Sequence, residues 1–358
     1  MMQLRKNVFL LLLLSVFIFC ARASSAPVGP SVDRDVADKP NILLIISDDQ
    51  AWGDYSFMGH PHIETPHLDT LAHEGVTFQR GYVVAPLCRP SLASMVTGLH
   101  TIQHGIVGND PAFKSRQKRW SRPWIAERAR RNENLIRKIE QVPTLPRLLA
   151  GKGYVSLQTG KWWEGHYSRG GFTEGMTHGD YKRGGRHGDA GLTIGREGLS
   201  EITGFIDRAV DDGKPFFVWY APFMPHAPHT PPERLEKKYL PKAPTPAIAR
   251  YWAMCEWFDE TCGELLTYLD EKGLRDNTIV AYVCDNGWIQ SPDKPNKCEP
   301  RSKLSPYEGG IRTPIMIRWP AKVKPRMDTE TLVSSIDLAP TLLRACGLAP
   351  TSAMQGVD

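Results

Sequence analysis

The sequence predicts an α/β fold, a sheet flanked by helices. Two observations carry that prediction. Apolar runs rich in β-branched residues alternate with stretches of helical periodicity. Four of those apolar runs also break off abruptly into residues able to do chemistry. A length of 358 residues adds that one large domain or two smaller ones can be built.

Residues 1–26 stand apart from that fold. Arg5 and Lys6 form a basic start, Val8 to Phe19 an apolar stretch, and Ala21-Arg22-Ala23 a small-x-small cleavage site. This is the pattern of a secretory signal peptide, too short for a comfortable membrane span. Export to the periplasm or beyond the cell is expected, with no stable membrane anchor. Residues 27–39 read as a linker and 40–358 as the folded domain. The formal net charge is +5, of which Arg5, Lys6 and Arg22 supply three. The remainder is near neutral, which gives no electrostatic case for nucleic acid, and none is expected as a partner.

A basic helical insertion spans about residues 112–140. From Lys114 to Lys138, ten Lys or Arg face two Glu, with Trp120, Trp124, Ile125, Leu135 and Ile136 along one side. Such a run is most simply a solvated face, and it also suits contact with an anionic polymer. Of seven cysteines, six follow the signal peptide. Cys255 and Cys262 share the apolar-periodic run Tyr251–Leu269. Seven residues of helix separate them by roughly 10 Å, too far for a disulfide. The cysteines therefore read mostly as buried packing residues.

The strands are read in order by where they end. Asn41–Ile46 runs into Ser47-Asp48-Asp49-Gln50, and Tyr154–Thr159 into Gly160-Lys161-Trp162-Trp163. Pro215–Tyr220 runs toward Pro225-His226-Ala227-Pro228, and Thr278–Cys284 into Asp285-Asn286-Gly287. Ligands of open α/β sheets bind beyond the carboxyl ends of strands. Helices are expected from Thr65-Pro66 to Gly75, from Thr144 to Gly151, and over Ser200–Val210. Gly184-Gly185-Arg186-His187-Gly188 is too rich in glycine for regular structure and reads as a loop near the mouth of a site. Pro222 to Pro246 is a stiff connection.

Two acidic pairs carry the metal argument. Asp48, Asp49, Asp285 and the Asn286 carbonyl form an all-oxygen set. Each pair alone is an ordinary turn or cap motif. Together, after two buried-type strands, they are costly to enclose unless a cation neutralises them. Oxygen-only ligation points to Ca²⁺ or Mg²⁺ rather than zinc. The nucleophile candidate is Cys88, just ahead of Arg89-Pro90-Ser91, with Leu92, Met95, Val96 and Leu99 giving a helical apolar face. A helix start favours anions and is expected to lower a thiol's pKa.

These stretches, with Thr65-Pro66-His67-Leu68-Asp69, Thr97-Gly98 and Lys303 ahead of Glu308-Gly309-Gly310-Ile311-Arg312-Thr313-Pro314, resemble the type I sulfatase family of the alkaline-phosphatase superfamily. The resemblance runs from Pro40 to Gly347. It implies a mixed, mostly parallel sheet sandwiched between helices, and cleavage of a sulfate ester. By position, Cys88 would be converted to formylglycine by a formylglycine-generating maturation enzyme. Asp48, Asp49, Asp285 and Asn286 would hold Ca²⁺, with Mg²⁺ second. Lys161 and Lys303 would bind sulfate oxygens, and His226 would lie by the leaving group.

Departures from the family pattern sharpen the expectations. Leu92 stands where the family has an arginine, and Trp163 stands where it has a histidine. His166, three residues on, is the expected substitute for that histidine. The chain ends at Gln355-Gly356-Val357-Asp358, where the family's smaller C-terminal subdomain normally begins, so a C-terminally truncated domain is expected. The substrate expected is a sulfated carbohydrate rather than an aryl sulfate, with Trp120, Trp162 and Trp163 available for sugar stacking. The alternative is a sulfatase-fold protein that binds sulfated glycans without turnover.

Overall fold

Strand β1 (Asn41–Ser47, NILLIIS) is buried at every position, as a central strand covered on both faces must be. It belongs to a computed structural model that describes residues 39–112, 116–180, 182 and 184–358. The expected signal peptide and nearly all of the linker lie outside the described residues.

Seven further strands follow: β2 (Val76–Tyr82), β3 (Val155–Gly160), β4 (Glu174–Gly175), β5 (Phe216–Ala221), β6 (Thr278–Cys284), β7 (Arg312–Arg318) and β8 (Arg326–Ser334). They form one sheet in the order β4-β3-β5-β1-β6-β7-β2-β8. β1 pairs in parallel with β5 and β6, and β3 in parallel with β4 and β5. β7 alone runs against both of its neighbours. The sheet is therefore mixed and mostly parallel, as the sequence implies. β1, β3, β5 and β6 all point their carboxyl ends to one edge.

The longer helices are α1 (Pro66–Glu74), α2 (Cys88–Thr97), α3 (Arg122–Glu140), α4 (Leu145–Ala150), α5 (Ser200–Asp211), α6 (Glu233–Tyr239), α7 (Pro246–Glu271) and α8 (Leu338–Ala345). Side chains alternate across a strand, so β1 feeds two cores. Ile42, Leu44 and Ile46 join Met95 and Val96 of α2, Leu149 of α4 and Leu342 of α8 on one face. Leu43 and Ile45 join Leu71 of α1, Phe205 of α5 and Phe258 of α7 on the other. α3 is the exception among these helices. Only Ile136 and Ile139 are buried along its 19 residues, and Ser121 caps it by accepting from the Trp124 N–H at 3.4 Å. Among the described residues, no helix is long and apolar enough to cross a membrane. The six described cysteines are all free thiols.

Candidate active site and metal centre

The loops that leave the parallel strands are fastened to one another. Asp48 donates its N–H to the Met224 carbonyl at 2.9 Å, and Asp285 donates to Ser47 at 2.9 Å. Asp49 ends β1 in a left-handed turn with φ 60°, a conformation Asp accepts more readily than most side chains. Its N–H donates to Asp285 Oδ1 at 3.1 Å. Two separate strand ends thus deliver their carboxylates to one place.

That place also receives the start of α2. Ligand atoms of Asp48, Asp49, Asp285 and Cys88 all lie within 4.8 Å of one another, and each residue is no more than 2% exposed. Lys161 Nζ stands 2.6 Å from Asp48 Oδ1 and 3.7 Å from Asp285 Oδ2. Lys303 Nζ meets the two Asp49 oxygens at 2.5 and 2.7 Å. Both ammonium groups lie 3.1 Å from Cys88 Sγ. Asn286 Nδ2 donates to Asp49 Oδ1 at 2.7 Å, and His226 Nε2 stands 3.3 Å from Asp49 Oδ2. The His226 Nδ1 faces its neighbour's carbonyl, Ala227 O, at 2.5 Å, which places the ring proton on Nδ1 and turns Nε2 into the cluster.

Three buried oxygens here have no hydrogen-bond partner: Asp48 Oδ2, Asp285 Oδ2 and Asn286 Oδ1. Buried oxygens without donors are costly. Three in one cluster, all hard donors, fit a hard divalent cation. Burial pushes Asp48 up to about 6 and Asp285 up to about 7, against the pull of Lys161. For Asp49 burial also raises the pKa, but Lys303 and His226 outweigh it and hold the group well below the usual carboxylate range. Burial pulls His226 down to about 4.

Cys88 departs from one expectation. Burial pushes its thiol up to about 12, with Asp285 and Asp49 adding to the shift and Lys161 and Lys303 opposing it. The helix start does not make a thiolate here, because desolvation next to carboxylates outweighs the dipole. As a plain thiol, Cys88 is a poor nucleophile at neutral pH.

His166 lies elsewhere. Its Nδ1 accepts from the Ser168 N–H at 3.3 Å and sits 2.8 Å from Ser168 Oγ. Its ring packs on Tyr167 and His178, none of them residues of the cluster. The imidazole beside Trp163 is His187, 5.2 Å away between ring centres and 5.4 Å from Phe223, which in turn stacks on His226. His187 Nδ1 is buried without a partner. The glycine-rich stretch around it marked a site mouth in the sequence, but not this histidine. Trp162 and Trp163 are 2% and 4% exposed, so neither offers a face to sugar. Trp162 packs edge-on against Phe172 and Trp219. Trp120, at 64% exposed, keeps that possibility.

Sequence reading also passed over Arg89. It is buried and doubly bonded to Glu164, Nε to Oε1 at 2.8 Å and Nη2 to Oε2 at 2.7 Å. Its Nη1 reaches Asn109 O and Asn132 Oδ1 at 3.2 and 3.1 Å. This pair locks the residue after Cys88 to the loop after Lys161. A polar neighbour of the nucleophile was the available signal, but a partner 75 residues away left none. Leu92 is 3% exposed within the α2 core.

Such an arrangement defines an α/β protein with a buried centre of mixed charge at the carboxyl ends of its parallel strands. A family model described as Sulfatase matches residues 40–348, and the chain belongs to the sulfatase family. An N-acetylgalactosamine-6-sulfatase of Canis lupus familiaris is 31% identical over 89% of this chain. An ulvan-active sulfatase of Formosa agariphila is 24% identical over 91% of it. The chain spans 65% of the length of each of these relatives. The crystal structure of Ps i-CgsB in complex with k-i-k-neocarrahexaose superposes with TM-score 0.69 at 25% identity, over 89% of this chain and 75% of that one.

Proposed function

We propose that this protein hydrolyses a sulfate ester on a carbohydrate, through a formylglycine made from Cys88 and with a bound Ca²⁺. The observation that carries the reading is Cys88 Sγ held 3.1 Å from both Lys161 and Lys303 amid three buried carboxylates. Relatives named for N-acetylgalactosamine 6-sulfate and ulvan, and a neighbour solved with a neocarrahexaose, support a sugar substrate. An arylsulfatase A of Bos taurus, 28% identical, supports the aryl sulfate as second choice.

Asp48, Asp49, Asp285 and Asn286 would hold the cation, whose charge favours sulfate oxygens. A formylglycine hydrate supplies a hydroxyl nucleophile for sulfur. The protein's own groups do the rest. Three carboxylates against two ammonium groups leave the centre one charge negative. A divalent ion turns that into one positive charge, matched to a sulfate monoester. Lys161 and Lys303 bind sulfate oxygens and oppose the charge that develops on them. The N-terminal N–H groups of α2 add the positive end of a helix dipole. His226 aims Nε2 at the departing alcohol oxygen, and with Nδ1–H held by Ala227 O it takes a second proton on Nε2 and, as the imidazolium, gives that proton to the oxygen as the ester bond breaks. We read the chain as exported, with a maturation enzyme as its transient partner.

One observation favours a second reading. With Leu92 in the core and Trp163 buried, two polar groups usual in the family are replaced by packing, which suits a protein that binds sulfated glycans without turnover. Mass spectrometry of the Cys88 peptide from the native host separates the two. Formylglycine is expected there, and unmodified cysteine in exported protein supports binding alone. Cys88→Ala is expected to lower sulfate release by at least about 10³-fold. Chelation is expected to abolish release across a panel of sulfated sugars, and metal-independent turnover would overturn the cation's assignment.

A further inference from the structure

We infer that Arg128 and Arg186 form a second anion subsite at the mouth of the site, for a carboxylate or second sulfate on the sugar next to the one cleaved. The inference rests on the sulfate-ester reading above and deepens it.

Both guanidinium groups share one carboxylate. Arg128 Nη2 lies 2.7 Å from Asp110 Oδ1, and Arg186 Nε 2.9 Å from the same oxygen, with Arg186 Nη2 on Oδ2. Two cations on one anion leave a surplus positive charge. Burial alone raises the Asp110 carboxyl, but Arg186 and Arg128 outweigh it and hold the group below its usual range. The trio is partly exposed, at 28% for Arg128, 39% for Arg186 and 42% for Asp110. An incoming anion can therefore reach charges that water screens only in part.

Two independent routes fix the trio beside the reacting centre. Asn109, next to Asp110, accepts the Arg89 N–H on Oδ1 at 2.9 Å, and Arg89 follows Cys88. The Arg186 guanidinium lies 4.6 Å over the Trp163 ring, two residues beyond Lys161. The Arg128 guanidinium also lies 5.9 Å from the ring of Trp124, and the exposed Trp120 packs 5.0 Å from that same ring. A sugar leaving the centre in this direction meets charge first and then aromatic surface, the two features that hold an acidic glycan.

The test compares three substrates on the matured enzyme. Each is a disaccharide with one cleavable sulfate, and in separate arms it carries no further charge, a uronate carboxylate, or a second sulfate. Arg128→Gln and Arg186→Gln are each expected to lower the ratio of kcat/KM for doubly to singly charged substrate by about tenfold, through KM. Arg128→Lys is expected to recover part of it, and the salt dependence of KM is expected to flatten in the Gln variants. Loss confined to the uronate arm assigns a carboxylate, and loss confined to the disulfated arm a sulfate. Equal effects on all three substrates, or none, overturn the subsite. Should wild type release no sulfate from any arm, the sulfate-ester reading fails on its own. Calorimetric binding of the same sugars to the Cys88→Ser chain then decides the subsite. Weaker binding of the doubly charged sugar by Arg128→Gln supports it, and equal binding overturns it.

Discussion

The centre around Cys88 and the surface of α3 are both crowded with charge, and they use it in opposite ways. In the centre, Asp48, Asp49, Asp285 and Lys161 are at most 2% exposed, and each charge depends on the others being present. On α3, pairs such as Arg137–Glu133, at 61% and 39% exposed, sit in water that screens them. Charge in the first region constrains the structure and in the second decorates it. The same residue types in sequence therefore foretell little until burial is known.

That contrast can be broken by mutation. The largest effect on stability is expected from Asp49→Ala, which leaves the Lys303 ammonium enclosed without its carboxylate. Loss of one partner of a buried pair costs about 3–5 kcal/mol, read by equilibrium urea unfolding. An unchanged midpoint would mean that water reaches Lys303 freely and that the two regions do not differ. Glu164→Gln comes next. It keeps the shape around Arg89 but removes the charge, and about 2–3 kcal/mol is expected by the same measurement.

A cation held as proposed would compete with protons for the same oxygens in the centre, so pH gives a third probe. Burial places Asp48 near 6 and Asp285 near 7, above the usual carboxylate value. The folded state then binds protons more tightly than the unfolded one. Without cation, these groups add stability as pH falls through about 7 to 6 and withdraw it as pH rises. Added Ca²⁺ is expected to reverse the sign. The Tm increment from Ca²⁺ is expected to be a few degrees larger at about pH 8 than at about pH 5.5. Equal increments at both would remove Asp48 and Asp285 as ligands. The smallest effect belongs to Arg137→Ala on α3, within about 0.5 kcal/mol of wild type. A larger loss would show α3 to be structural in the way the centre is.

Much of this was legible because the fold and the chemistry coincide at strand ends. β1 and β6 are buried along their whole length and read as apolar runs that stop at Asp48 and Asp285, the apolar β5 leads toward His226, and β3, of mixed character, is followed directly by Lys161. β2, with Gln79 and Arg80, and the largely exposed edge strand β8 carry no such signature, and neither stood out. Cys88, Lys161, Lys303, His226 and the four oxygen-bearing residues could be named one by one, and the chain brings them together. Long-range packing was not legible. The Arg89–Glu164 lock, the burial of Trp163 and the place taken by His187 depend on loops meeting across the fold. No local periodicity records such meetings.

Every residue of α2, from Cys88 to Thr97, is buried, and Cys88 itself is 1% exposed. A maturation enzyme of the kind proposed above would act on a whole peptide segment, and a helix packed along its full length does not present one. On that reading, conversion of Cys88 would compete with the closing of the fold around α2. A newly made chain that closed first would keep its thiol. The fraction of converted molecules would then follow from the relative rates of those two events rather than from an equilibrium of the finished protein.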